Sequence, residues 1–282
     1  SICASQALDH ALFLAKRFGA QLHMVHAIVL HQEDPYNPAH QFPDAGDLHE
    51  KMGRLARERM GIDLRESSES DETIDILMEE LRGYSVADLI LEYAHSRDID
   101  LIVMGTHGRR GIHYMFLGSV AQEIVREAPC PVYTIRESET PREPRKTETI
   151  LSPVDFSDHS RAALSIAREA AELYDAKLQI LHVVERVLYP SFYEPGMYAD
   201  PTLRPDFIDL AQKELRQFFG TAPGPDVTAE FHVAHGHVVH EILEHATSNR
   251  DDLIVIATHG LTGLKHLLLG SVAEKVIRSA PC

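Results

Sequence analysis

The run Gly105-Thr106-His107-Gly108 is followed, after nine intervening residues, by Gly118-Ser119, and the pattern returns as Ala257-Thr258-His259-Gly260, nine residues, Gly270-Ser271. Between residues 100–130 and 252–282, 17 of 31 aligned positions are identical. Such identity at fixed spacing marks a duplication, so the chain must build one architecture twice. The duplicated piece is a glycine-punctuated turn leading into a helix. Glycines let backbone approach a ligand closely, and the unpaired N–H groups of a helix start point outward, so such a turn suits a phosphate group.

A length of 282 residues accommodates two domains of ordinary size, and a 44% hydrophobic fraction is that of a globular protein. No apolar run approaches the roughly 18 residues that span a bilayer. The opening Ser1-Ile2-Cys3-Ala4 has neither the charged start nor the apolar run of a secretory signal. Three cysteines, an odd number, argue against a disulfide framework and for a reducing compartment, so a cytoplasmic location is expected. The net charge of −16 repels nucleic-acid backbone and anionic membrane, which removes both as general partners. An acidic protein that binds an anion must do so locally, through backbone dipoles.

The two halves align along most of their length. Residues 7–26 match 163–182, and Leu8, Ala11, Leu12 and Ala15, like Leu164, Ala167 and Ala171, fall at helical spacing. Short apolar strands follow, near residues 22–29 and 178–184. A second helix and strand pair covers 86–93 with 101–104, and 238–245 with 253–256. The four-residue apolar runs of the latter strands suit the centre of a sheet covered on both faces. After each glycine turn another helix follows, with Val120, Ile124, Val125 and Ala128 on its apolar face in the first repeat. This alternation predicts α/β domains with open parallel sheets flanked by helices. The expected division is a first domain over 1–136, a proline-rich charged linker over 137–148 and a second domain over 149–282. The acidic run 66–72 reads as a solvated loop. The repeats differ at their edges. The second opens with Ile150-Leu151-Ser152-Pro153-Val154-Asp155-Phe156-Ser157, whereas the first runs from Ile2-Cys3-Ala4 straight into Ser5, without a counterpart of about eight residues around Asp155. Conversely, Pro131-Val132-Tyr133-Thr134-Ile135 closes the first repeat as a strand that the second lacks.

Asp-Leu-Ile-Val, then Gly/Ala-Thr-His-Gly, nine residues and Gly-Ser-Val-Ala, with Ala-Pro-Cys-Pro-Val in the first repeat and Pro153-Val154-Asp155-Phe156-Ser157 opening the second, resemble the universal stress protein family in tandem form. The resemblance implies two Rossmann-like domains, each with five parallel strands in the order 3-2-1-4-5. It also implies ATP or another adenine nucleotide in the cleft where strand order reverses, with room for Mg2+ on its phosphates. Contacts to phosphate and ribose would fall on Gly105, His107, Gly108, Gly118, Ser119 and Val120, and in the second repeat on Ala257, His259, Gly260, Gly270, Ser271 and Val272. Asp155 would face ribose or adenine, bordered by Pro153, Val154 and Val183. Since only the second repeat has the acidic loop, it is expected to bind nucleotide at least as well as the first.

Other chemistries leave weaker traces. The chain contains no P-loop, no dinucleotide fingerprint and no nucleophile elbow. Arg109, Arg110 and Lys265 could stabilise a transferring phosphoryl group, yet no base accompanies them, so the chain is at most a weak ATPase. His232, His235, His237 and His240 crowd one stretch. His235, His237 and His240 are candidate zinc ligands, but strand alternation separates members of the group and no metal site is expected. Two alternatives to a nucleotide-binding regulator stay open: an interaction scaffold for an unknown protein partner, and a histidine-based zinc protein.

Duplication usually preserves an existing two-fold interface, and the edge strand at 131–135 would seek a partner. The repeats are therefore expected to pair as a pseudo-dimer resembling a family homodimer, with homodimerisation of the whole chain a further option. Solution scattering should report one compact particle; two independently tumbling domains would contradict this expectation.

Overall fold

Helix ends follow local chemistry in both halves. Ser85 accepts the Asp88 N–H at 3.3 Å and caps the third helix, while Ser157 accepts the Ser160 N–H at 3.1 Å and caps the fifth. Each satisfies a backbone donor that the first helical turn leaves unpaired. Asp175 and Arg250 end helices in the left-handed region, with φ of 53° and 55°. The computed structural model describes residues 2–29, 45–67, 74–106, 117–136, 147–185, 207–260 and 269–282. They divide into two units, Ser1–Pro144 and Arg145–Cys282.

Unit 1 contains α1 (Ile2–Phe18), β1 (Leu22–Val29), α2 (Ala45–Glu66), β2 (Ile76–Gly83), α3 (Val86–Ser96), β3 (Ile102–Gly105), α4 (Ser119–Glu127) and β4 (Val132–Ile135). Its strands form two parallel pairs, β1 with β2 and β3 with β4. Leu8, Leu12 and Ala15 of α1 are buried at helical spacing, against Leu22 and Met24 of β1 and Ile76 of β2. Residues 2–4, aligned by sequence with a strand of the second repeat, instead form the first turn of α1. The difference has a physical cause: without the Pro153-to-Ser157 turn that ends a strand and caps a helix, nothing stops α1 from continuing N-terminally, and Cys3, Gln6, Ala7 and His10 are all buried along it.

Unit 2 contains β5 (Thr149–Pro153), α5 (Asp158–Tyr174), β6 (Lys177–Glu185), α6 (Phe207–Thr221), β7 (Ala229–Gly236), α7 (Val238–Asn249), β8 (Leu253–Ile254) and α8 (Ser271–Ser279). Its sheet is parallel throughout in the order β7-β6-β5-β8. Counted within the unit this is 3-2-1-4, and among the described residues neither unit shows the expected five-stranded order in full. Apolar clusters cover both faces of the sheet, one under α5 and α6 around Leu164, Ile180 and Leu215, the other under α7 and α8 around Leu151, Ile242 and Val276. Among the described residues no helix is long and apolar enough to cross a membrane.

One buried group breaks the apolar pattern. Asp251, at the foot of β8, is 0% exposed, where unit 1 has Ile99 packed in an apolar cluster. Burial pushes its carboxyl up to about 7, the Asp252 charge adds to the rise, and Lys177 opposes it. The folded-state value thus lies above the unfolded one. Between about pH 4 and 7 the unfolded chain gives up a proton that the folded chain keeps, so stability falls as pH rises and then levels off. Asp251→Asn should gain stability relative to the parent across that interval and hold a constant advantage above it. Urea denaturation at several pH values checks this; a difference independent of pH would contradict it.

Candidate functional site

The C-terminal ends of β5 and β8 bring two loops of unit 2 together. β5 exits through Val154, whose N–H donates to the Leu181 carbonyl at 2.9 Å and whose side chain is buried among the residues under α5. His182 Nδ1–H donates to the Val154 carbonyl at 2.9 Å, and Phe156 rests on the His182 ring, with centroids 4.4 Å apart. Phe156 has a φ of 65°, an uncommon conformation for a bulky residue that its surroundings must enforce. Phe218 supplies the second wall, edge-on at 5.3 Å. This turn fixes Asp155, whose Oδ1 accepts the Ser157 N–H at 3.0 Å and the Ser157 hydroxyl at 2.5 Å.

The carboxylate also reaches the β8 loop. A Cβ built on Gly260 would stand 2.6 Å from Asp155 Oδ2, so any side chain there would push the carboxylate aside. Glycine at 260 is therefore what allows the acid and the glycine turn to meet. Ala257, Thr258 and His259 lead into that contact, and Thr258 Oγ1 lies 3.1 Å from His259 Nδ1. Beyond the loop, the Gly270 N–H donates to the Thr258 carbonyl at 2.8 Å. Gly270 then caps α8, whose first turn holds Ser271 and Val272. A Cβ on Gly270 would lie 2.9 Å from that same carbonyl, so this glycine serves the turn as well as any ligand.

The expected base-lining residues are divided. Pro153 and Val154 continue β5, with Val154 in the cluster under α5 and α6, whereas Val183 packs in the cluster under α7 and α8, along with Val272. Val154 and Val183 thus face opposite sides of the sheet. His159, in the first turn of α5, was not singled out from the sequence, yet its ring lies 5.6 Å from that of His259. Its position two residues after the Ser157 cap, beside the acidic loop, was the signal available.

In unit 1, Gly118 caps α4 and its N–H donates to Thr106 O at 2.9 Å, as in unit 2. Ser119 and Val120 open the helix. Gly105 differs: a Cβ there would lie 2.5 Å from Cys3 Cβ and 3.2 Å from the Cys3 carbonyl carbon, so helix α1 uses the space that glycine leaves. His107 and Gly108 fall outside the described residues, as do Arg109, Arg110 and Lys265. The zinc candidates do not gather as a set. His235 lies on β7, His237 caps α7, and the group of ligand-type atoms found within 4.8 Å joins His240 to Glu241 and Glu244 instead.

The sequence profile of the universal stress protein family matches residues 1–136 and again 146–282. The chain belongs to the universal stress protein family. Over an alignment of 141 positions that takes in 47% of the chain, this universal stress protein is 34% identical to a universal stress protein of Bacillus subtilis and covers 93% of it. Over 133 residues, 47% of the chain, it is 33% identical to a universal stress protein of Methanocaldococcus jannaschii and covers 77% of it. The fold of the whole chain is similar to that of a universal stress protein from Archaeoglobus fulgidus, with a TM-score of 0.64 at 17% identity, over 98% of this chain and 88% of that one.

His182 holds the acidic loop by one hydrogen bond and one ring contact. His182→Ala should destabilise the protein by about 1–3 kcal/mol, the cost of leaving a buried carbonyl unmatched. An unchanged denaturation midpoint would show that the loop is fixed by other contacts.

Proposed function

We propose that unit 2 binds an adenine nucleotide, ATP foremost, at the C-terminal edge of its sheet, and that nucleotide occupancy lets the protein act as a regulator in the stress response. The observation that carries this reading is the meeting of Asp155 with Gly260 at the point where strand order reverses. The chain steps from β5 to β6 and β7 on one side and then crosses to β8 on the other. Loops at such a switch point diverge and leave a crevice beyond the strand ends. Asp155 comes from one loop and Gly260 from the other, with the start of α8 at Gly270-Ser271 beside them. A carboxylate suits ribose hydroxyls, and unpaired N–H groups at a helix start suit phosphate.

In this reading Pro153 and Val154 border the base, Val183 and Val272 support the floor, and His259 and His159 offer ring N–H groups to the phosphates. Gly105, Gly118, Ser119 and Val120, with His107 and Gly108 by sequence, are the counterparts in unit 1, and Gly105 is already approached by Cys3, so unit 2 is the stronger site. Mg2+ would accompany the phosphates. Any hydrolysis is slow, because Asp155, His159 and His259 are assigned here to sugar and phosphate, and among the described residues no further base stands beside the cradle. A reducing, cytoplasmic setting is part of the proposal, supported by three cysteines that form no disulfide.

Asp155→Asn keeps an oxygen for Ser157 but removes the charge offered to a sugar hydroxyl. Losing a charge-assisted hydrogen bond costs about 1.5–3 kcal/mol, or roughly tenfold to a hundredfold in affinity. Calorimetric titration of the full chain with ATP should show that loss for one site. Unchanged affinity and stoichiometry in the variant would remove Asp155 from the site.

A further inference from the structure

Helix α7 carries His240, Glu241 and Glu244, and Glu244 lies one turn beyond both of the others, at i+4 from His240 and i+3 from Glu241, so it neighbours each on the helix surface. One ligand-type atom of each lies within 4.8 Å of the other two, and His240 Nε2 is 3.3 Å from Glu244 Oε2. Bonds of about 2.0–2.2 Å to a central ion place neighbouring ligands roughly 3–4 Å apart. The side chains of His240 and Glu244 are largely exposed, and small rotamer changes would close the remaining distance. We propose that His240, Glu241 and Glu244 form a site for a divalent transition-metal ion, Zn2+ above all, on the outer face of unit 2.

The placement of Glu241 supports this independently of the distances. In both units a glycine ends the strand before this helix, and the helix's fourth residue packs against it. A Cβ on Gly83 would lie 3.0 Å from Leu89 Cδ2, and one on Gly236 would lie 3.0 Å from Glu241 Cδ. The same backbone space therefore receives a leucine in unit 1 and a carboxylate in unit 2. The residue before it changes in step, from Asp88 to His240, while Glu92 and Glu244 agree. Unit 1 thus has two acids and a leucine at these positions, whereas unit 2 has an imidazole and two carboxylates.

Electrostatics and donor chemistry favour the same ion class. The helix start contributes roughly half a positive charge, which two carboxylates outweigh. One imidazole with two carboxylates suits Zn2+ and its neighbours in the first transition row, and water completes the shell. Carboxylates alone would suit Mg2+ or Ca2+ equally. His240 therefore sets selectivity.

The test is equilibrium dialysis of the full chain against Zn2+ at physiological salt, with metal content measured directly and no nucleotide present. The parent should bind one equivalent that His240→Ala and Glu241→Gln each weaken at least tenfold, and a large excess of Mg2+ should not displace it. His240→Ala leaves the fold intact because that side chain is mostly solvent-facing, and Glu241→Gln preserves shape against Gly236. Zn2+ binding unchanged in both variants would overturn the proposal. Displacement by Mg2+ as readily as by Zn2+ would overturn it too, because it would reduce the effect to general attraction by an acidic protein.

Discussion

In unit 2 the β5 backbone is hydrogen-bonded on both edges, to β6 and to β8, and Ile150, Leu151 and Ser152 are fully enclosed. A strand held this way cannot move without disturbing both neighbours and both apolar layers. Its C-terminal end is therefore a rigid mount, and Val154, His182 and Phe156 extend that rigidity by one turn to Asp155. Burying a large apolar side chain contributes about 1.5–3 kcal/mol, so Ile150 and Leu151 alone outweigh the cost of order 1–3 kcal/mol for the unusual φ of Phe156. The acid is exact in position because it hangs from the strongest part of the sheet.

The glycines of the repeated motif divide into distinct roles once the atoms around them are considered. Gly260 is required by a neighbouring carboxylate, Gly270 by its own turn, and Gly105 by a helix of its own unit. A shared sequence pattern therefore conceals different constraints, and loss of binding on mutating Gly270 would not distinguish a damaged turn from a damaged cradle. Asp155 is the more informative position, since asparagine there alters charge while keeping the hydrogen-bond geometry to Ser157.

Much of this was legible in the sequence because periodicity and punctuation agree. The helices opening at Val86 and Val238 and the strand around Leu178 all show clear apolar spacing, and Ser157 announces the start of α5. The strand β2 was not legible. Its run Ile76-Leu77-Met78-Glu79-Glu80-Leu81-Arg82 is rich in helix-forming residues, and pairing with β1 overrides that preference. Glu80 survives within the strand because Arg57 of α2 meets it at 2.8 Å and Arg82 grips its other oxygen, while Gly53 of α2 leaves room for it. Arg82 is only two residues away, but Arg57 and Gly53 of α2 are distant in sequence, so no local pattern reveals the pocket that receives Glu80. The contact between Asp155 and Gly260 is similarly invisible until the crossover to β8 is known, although both residues stood out singly. The pairing of His159 with His259 depends on the same crossover.

The two repeats also diverge beneath their equivalent helices α3 and α7. In unit 1, His23 Nε2–H donates to Gln21 Oε1 at 2.8 Å, which leaves Nδ1 to accept the Tyr93 hydroxyl at 2.8 Å. In unit 2 the matching positions are Gln179 and His245, and the imidazole now lies on the helix, with Nε2 2.7 Å from Gln179 Oε1. The His232 ring rests 4.8 Å from it. Burial pushes the His245 imidazole below its ordinary value, and the neighbouring His232 adds to that shift. Asp251 also stands in place of Ile99 just after α7, and Glu241 in place of Leu89 on α7 itself. In the layer around α7, unit 2 thus has Glu241, His245 and, just past the helix, Asp251 where unit 1 has Leu89, Tyr93 and Ile99. Because β5 separates that layer from the one under α5, α7 could acquire new polar chemistry without disturbing the turn of Phe156.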